Sequence, residues 1–284
     1  MGELLPIGQM LNKCQSGNEN STDLNLPTRT PPEPETCQFC GKRLPWRKMG
    51  DDPFSIWLKP NRCSCQGAES YWAEIDYLTY QAAMEKEQEE TRQRKQKLLE
   101  LSRLPKRYWE CCFETSKATR DNGAVLDFVR AYAESLPNTE GLFLSGPVGT
   151  GKTYLTACLV NHLIEKEIRV LFGNVLDLLG RIRKSYDPET QEEEWRIMDE
   201  MAAVPLLIID DLGKEKVRPW VEQTLYHIVD ARYRENKALV VTSNYSLGDL
   251  EKRYEEVGPA LASRISEMCE GRFLGGQDWR KAGK

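Results

Sequence analysis

The stretch GPVGTGKT, residues 146–153, sets glycines, a lysine and a hydroxyl at the spacing G-x-x-x-x-G-K-[ST]. Gly146, Gly149 and Gly151 let the chain fold tightly, with Pro147, Val148 and Thr150 between them. Their backbone N–H groups then converge on an anion. The cradle is expected to run on through Tyr154 into a helix whose positive dipole end faces the same point. Lys152 can reach the β and γ phosphates of ATP, and the Thr153 hydroxyl can ligate Mg²⁺.

A second acidic site is needed to hold the cation, and LLIIDDLG at 206–213 supplies it. Its apolar residues bury a strand and present Asp210 and Asp211 at the carboxyl end, where open α/β sheets bind ligands. Asp210 is the candidate for Mg²⁺, through water, and Asp211 for orienting or deprotonating the attacking water. Many ATPases of this type carry Glu at the second place, so the shorter Asp211 predicts slow hydrolysis. Asn244, closing VVTSN at 240–244, can position the water near the γ-phosphate; taken alone it reads as a turn residue.

Arg264 and Arg280 are the cations left to account for near the end of the chain. Positive charge at the γ-phosphate stabilises the transition state of phosphoryl transfer. Arg264, on a helix after the Asn244 strand, is suited to reach an adjacent subunit's site. Arg280 follows the last strand and can contact the nucleotide. The alternative is that both are surface arginines.

A separate cluster lies upstream. Cys37-x-x-Cys40 is followed by Gly41-Lys42, the shape of a zinc knuckle, and Cys63-x-Cys65 would complete a four-sulfur structural site. The second pair is one residue shorter than C-x-x-C, and free thiols or a redox pair are the alternatives. Cys111, Cys112, Cys158 and Cys269 read as ordinary buried thiols, and Cys14 has no assigned role. His162 and His227 sit in predicted helices with no catalytic constellation beside them.

These residues need elements to position them. Short apolar runs at 141–146, 169–174, 204–210, 238–244 and 271–276 predict strands. Amphipathic segments at 152–166, 175–185, 190–202, 219–235 and 246–256 predict helices, with Pro219 in a first turn and Ser246 with Asp249 as a cap. Strands alternating with helices imply an α/β domain with a parallel five-stranded sheet covered on both faces. Upstream, residues 1–36 read as a disordered lead-in, 37–67 as the cysteine block and 68–104 as a helical linker ended by Pro105. The domain proper runs over 105–284.

The chain's 284 residues allow one ordinary domain and a smaller one. Its apolar runs are too short to cross a bilayer, and the N-terminus lacks a secretory or myristoylation pattern, so a cytoplasmic protein without membrane contact is expected. A net charge of −5 gives no overall case for nucleic-acid binding; such binding would need a local basic surface.

With these motifs in hand, residues 105 to 280 resemble the AAA+ ATPases of the DnaC/DnaI helicase-loader and IstB transposition-helper group. The resemblance rests on GPVGTGKT, LLIIDDLG, TSN, SRISEM and the terminal GQDWR; the last two set it apart from general P-loop kinases. It implies an AAA+ core with a reduced lid, the Asn244 strand lying between the P-loop and Asp210 strands. It also implies Arg264 as an arginine finger acting in trans and Arg280 as the sensor 2 arginine. Members assemble nucleotide-dependent rings or spirals. Loaders dock through an N-terminal domain, zinc-binding in some DnaI-type members, onto a hexameric replicative helicase and open it for single-stranded DNA. IstB-type proteins prepare duplex DNA for a transposase. Arg181, Arg183 and Lys184 fall where relatives carry an inserted helix facing DNA, which makes them candidates for single-strand phosphates; a solvated helix C-terminus is the alternative. KEKVRP at 214–219 is a further candidate. A helicase loader is the leading expectation, ahead of a transposition helper and of an adaptor with little turnover.

Overall fold

The computed structural model describes residues 32–50, 56–136, 140–184 and 191–282. Most of the lead-in, with Cys14, lies outside them, as do Ser185 and Thr190, the ends drawn for two helices. The described residues fall into two compact units, one reaching Glu87 and one starting at Gln88.

In the first unit, β1 (Glu35–Thr36) pairs antiparallel with β2 (Arg43–Leu44), and β3 (Arg47–Met49) with β4 (Ile56–Leu58). Between β1 and β2 the chain turns through Gly41 at φ +72. There the Cys37 N–H donates to the Lys42 carbonyl at 2.9 Å, and the Gly41 N–H to the Cys37 carbonyl at 2.9 Å. Cys37, Cys63 and Ala68 make up the buried core, with Leu44, Cys65 and Trp72 beside them. So little apolar surface cannot hold such a unit together without a further link.

The helix α1 (Gln66–Ser102) runs unbroken for 37 residues. Past Gly67 its sequence contains neither glycine nor proline and is rich in Glu, Gln, Lys and Leu, all strong helix formers. It stops where Arg103 turns to φ +61, two residues before Pro105.

The second unit is built on five parallel strands, β5 (Gly141–Ser145), β6 (Val170–Asn174), β7 (Leu206–Leu212), β8 (Ala238–Ser243) and β9 (Cys269–Phe273). Their spatial order is β6-β7-β8-β5-β9, so β8 lies between β5 and β7 as the resemblance implied. Successive residues of each inner strand go to opposite faces. Leu142, Leu144, Phe172, Ile208 and Val240 pack under α2 (Gly123–Ser135) and α3 (Lys152–Glu165). Phe143, Leu171, Leu207, Ile209 and Val241 pack under α4 (Val175–Lys184), α5 (Gln191–Ala203), α6 (Pro219–Arg234), α7 (Leu247–Arg253) and α8 (Gly258–Met268). Both faces are therefore covered, as parallel strands require. A short α9 (Trp279–Ala282) follows β9.

The element ends differ in places. The sequence reading gave no helix at 123–135, though Val125, Leu126, Val129, Tyr132 and Ala133 form its buried stripe. The helix expected to 256 stops at Arg253, because Gly258 and Pro259 open α8 instead. Its predicted cap is present: Ser246 accepts from the Asp249 N–H, and the Ser246 N–H donates to Asp249. Strand β7 continues past Asp210 to Leu212, and β9 begins at Cys269 and ends at Phe273, short of the paired glycines that follow.

Candidate functional site

Strand β5 ends at Ser145 and hands the chain to Gly146, Gly149 and Gly151, at φ +149, +83 and +104. Side chains are excluded at two of these. A Cβ on Gly146 would lie 2.1 Å from the Leu274 carbonyl, and one on Gly149 1.8 Å from Asp278 Oδ1. Thr150 is buried, its hydroxyl donating to the Pro147 carbonyl at 3.0 Å, while Val148 stands exposed.

Lys152 opens α3 and is only 5% exposed. Its Nζ donates to the carbonyls of Gly146 (2.7 Å) and Pro147 (2.8 Å) and to Asn244 Oδ1 (2.9 Å). Burial pushes its pKa down, opposed by the charges of Asp211 and Asp210. All three acceptors are neutral, so phosphate oxygens would be stronger partners for the same ammonium.

The Thr153 hydroxyl donates to both oxygens of Asp210, at 3.1 and 3.0 Å, and Thr242 donates to Asp210 Oδ1 at 2.7 Å. Asp210 is 3% exposed; burial pushes its carboxyl above the usual range, and the Thr242 and Thr153 hydroxyls oppose that shift. A hydroxyl and a carboxylate meeting at one point are the hard oxygen donors that Mg²⁺ takes alongside phosphate oxygens, so these residues fit the ion.

Asp211 adopts φ +60, a left-handed conformation that Asp tolerates better than most residues. Its backbone N–H donates to the Thr242 hydroxyl at 2.9 Å, and its Oδ2 accepts from Lys214 Nζ at 2.7 Å. Arg280 comes from the other end of the chain. The Trp279 N–H donates to the Gly149 carbonyl at 3.0 Å, and the Arg280 N–H to Asp278 Oδ1 at 3.0 Å. Lys152, Thr153, Tyr154, Asp211, Asn244 and Arg280 thus line one cleft of about 250 Å³.

Arg107, Tyr108, Lys214 and Trp279 line it too; of these the sequence pointed only to Lys214, as part of KEKVRP and for nucleic acid rather than nucleotide. Exposed Arg107 stacks on the half-buried Tyr108 ring at 4.7 Å, a planar pair of the kind that suits a base. RLPKRYW carries no spacing signature that could have announced it.

Arg264 is placed elsewhere. Its Nε donates to Asp230 Oδ1 at 2.5 Å and its guanidinium to the Tyr226 hydroxyl at 3.2 Å, over the Tyr233 ring at 4.6 Å. It therefore has a carboxylate partner, contributed by α6, and does not line the cleft of its own chain. Against the desolvation of burial, Arg264 and Arg234 hold the Asp230 carboxyl below its usual range.

The nucleic-acid candidates separate. Arg181 is 22% exposed and ion-paired with Glu200 at 3.0 Å, a carboxylate it shares with Arg169 at 2.9 Å, so it is not a solvated helix end. It faces a cavity of about 430 Å³ beside Asp210 and Asp211. Arg183 is exposed and lines a different groove with Lys214, Lys216 and Arg218. The side chain of Lys184 lies outside the described residues. His162 approaches Glu134 at 3.3 Å and the Phe113 ring, away from the cleft.

In the first unit, the four sulfurs of Cys37, Cys40, Cys63 and Cys65 lie within 4.8 Å of one another. Cys37 Sγ is 3.8 Å from Cys65 Sγ, and Cys40 Sγ is 3.5 Å from Cys63 Sγ. A zinc ion with bonds of about 2.3 Å in a tetrahedron sets sulfurs about 3.8 Å apart, so the cluster fits the ion despite its short second pair. The Phe39 N–H, aimed at the Cys37 sulfur, lowers that thiol to about 7, while against the Lys42 N–H the Cys63 sulfur and burial push Cys40 up to about 12, so Cys37 is the first of the pair to ionise.

Comparisons with known proteins agree with this geometry. Bacillus subtilis (strain 168) replicative helicase loader DnaI is 28% identical over 166 residues, 55% of this chain and 52% of the relative. Replicative helicase loader DnaC of Buchnera aphidicola subsp. Schizaphis graminum is 28% identical over 151 residues, 52% of this chain and 61% of the relative. The chain thus spans between half and two-thirds of the length of these curated relatives. The crystal structure of the DnaC helicase loader matches with a TM-score of 0.54 at 28% identity, over 61% of this chain and 100% of that one. That of DnaI matches with a TM-score of 0.53 at 25% identity, over 62% of this chain and 94% of that one. A family model described as IstB-like ATP binding protein covers residues 59–284. With its AAA+ sheet order and P-loop, the chain belongs to the family of IstB-like ATP-binding proteins.

Proposed function

We propose that this protein is an ATP-dependent replicative helicase loader. The carrying observation is that a cleft suited to phosphate and a cation and a four-cysteine unit occur on one chain whose relatives are named helicase loaders. In this reading residues 1–36 are a lead-in, and 37–67 form a zinc-bearing domain that docks on a hexameric replicative helicase. Residues 68–104 are a helical linker, and 105–284 are the motor. The protein acts in the cytoplasm, self-assembles when nucleotide binds, and meets single-stranded DNA through a local basic surface that includes Arg183.

Backbone N–H groups of the Gly146–Tyr154 cradle bind the phosphates, and Lys152 exchanges its carbonyl and Asn244 acceptors for phosphate oxygens. Thr153, and Asp210 through water, would hold Mg²⁺, which would neutralise charge developing on the phosphates. Asp211 takes the proton of the attacking water while Asn244 orients it. Arg280 acts within the chain and Arg264 from a neighbouring copy, once it leaves Asp230. Turnover is slow at rest, since Asp211 is one methylene shorter than the Glu that many such ATPases carry, and rises with partner or DNA.

The test is the mass of the protein mixed with its host's replicative helicase, with and without ATP and Mg²⁺, by light scattering after size exclusion. A defined complex that is lost when residues 37–66 are altered supports the loader. No complex at micromolar concentrations overturns it. The transposition-helper reading, favoured by the family model, then predicts ATP-dependent assembly on duplex DNA. A nucleotide-binding adaptor predicts no turnover in either case.

A further inference from the structure

Lys214 faces two ways. With Asp211 and Asn244 it lines the nucleotide cleft. With Arg183, Lys216 and Arg218 it also lines a groove of about 810 Å³ between α4 and the start of α6. The groove's walls include Leu176, half exposed, and Trp220. Four cations beside an aromatic and an aliphatic side chain match a single-stranded nucleic acid, whose phosphates need the charge and whose bases need an apolar wall. Glu215, the one acid among the lining residues, is turned away: it is buried, bonded to the Tyr254 hydroxyl and accepting from the Gly213 N–H at 3.0 Å.

The loop bearing Lys214 is anchored on both sides of it. Glu215 is fixed to Tyr254, the Arg253 guanidinium donates to the Glu215 carbonyl at 2.9 Å, and Asp211 is fixed to Thr242. Lys214 itself is 55% exposed. The backbone is held while the ammonium is free to swing, and only one of its two possible anions can have it at a time.

We propose that Lys214 is a positioning residue that couples the groove to the nucleotide site. With the groove empty it pairs with Asp211 and keeps that carboxylate from the attacking water. A phosphodiester in the groove takes the ammonium and releases the carboxylate. The proposal rests on the reading that Asp211 activates water and that the basic surface meets single-stranded DNA.

The experiment uses the full chain, its Lys214→Met and Lys214→Arg variants, and a fluorescent oligothymidylate. Affinity is measured by anisotropy over a salt series, and ATP turnover with and without the oligonucleotide. The expected result for Lys214→Met is turnover several-fold higher than the parent's at rest and no further rise with oligonucleotide. The slope of log affinity against log salt should fall by about 0.7, one phosphate contact on a single strand. Lys214→Arg, which keeps the charge, should recover the oligonucleotide stimulation and the salt slope that Lys214→Met loses. Full stimulation retained in Lys214→Met overturns the coupling, as does raised resting turnover with an unchanged salt slope, which would mark Lys214 as a local charge only. A parent that binds no oligonucleotide removes the nucleic-acid reading first, and the coupling falls with it.

Discussion

Lys152 Nζ lies 2.9 Å from Asn244 Oδ1, a contact between residues 92 positions apart that exists because β8 is laid beside β5. The lysine also holds two carbonyls, so Asn244→Ala should leave it in place. Nucleotide affinity is expected to stay within about threefold, while turnover falls about 10²–10³-fold, the usual effect of removing one group that acts in the transition state. Fluorescent-nucleotide titration beside a steady-state assay separates the two. An equal loss in both would make Asn244 a binding residue instead.

The four sulfurs of the first unit are placed for a metal, and that unit buries almost nothing else. Purified protein should contain about one zinc per chain. Cys37→Ser with Cys40→Ser should abolish zinc and unfold the first unit, because the metal's binding energy is its folding energy. ATP binding in the second unit should be unchanged. Metal analysis, proteolysis and nucleotide titration report these separately; a protease-resistant first unit without metal would refute the zinc assignment.

The phosphate cradle and acidic pair were legible because their chemistry is local: GPVGTGKT and DDLG each lie within one turn or strand end. Sheet order was legible through resemblance, and helix faces through periodicity. Partners brought together by folding were not. Nothing in the spacing of Arg264 and Asp230, or of Arg181 and Glu200, marks them as pairs, since each bond joins two separate elements. Tyr108 at the cleft was invisible for the same reason, and Lys214 was legible as part of the basic run KEKVRP but not as a residue between two cavities: a lining residue is defined by what folds opposite it.

Arg232 is fully buried, and among the described residues no carboxylate pairs with it; its guanidinium donates to the carbonyls of Met201, Ala202, Val204, Pro205 and Ala238. Burial lowers its pKa to about 10, so it stays charged at neutral pH. It ties the end of α5 to the entrances of β7 and β8. Arg232→Met fills similar space but leaves those carbonyls without a donor, at about 1–3 kcal/mol for each one stranded. Removing a buried guanidinium relieves its desolvation cost and offsets part of that, so a net loss of about 3 kcal/mol should lower the melting temperature by roughly 6–12 °C. Arg234→Met, on the exposed side of the same helix, should cost no more than about 1 kcal/mol. Thermal unfolding of the two variants decides it; equal shifts would mean the carbonyls find other donors.

Arg264 is held by Asp230, Tyr226 and Tyr233 of its own chain, so a role at a neighbour's phosphate requires exchanging that carboxylate for a phosphate. Arg264→Ala should bind ATP normally and not turn it over. Asp211→Asn should do the same, and asparagine tolerates the φ of +60 found at that position. The two variants lose different halves of one composite site. Mixed in equal amounts, they should regain roughly a quarter of parental turnover, since random assembly sets an intact site against an intact arginine in about one adjacent pair in four. Dilution below the assembly concentration should abolish the recovery. Persistent inactivity in a mixture that demonstrably co-assembles would confine Arg264 to its contacts with Asp230, and α8 to the packing of its own chain.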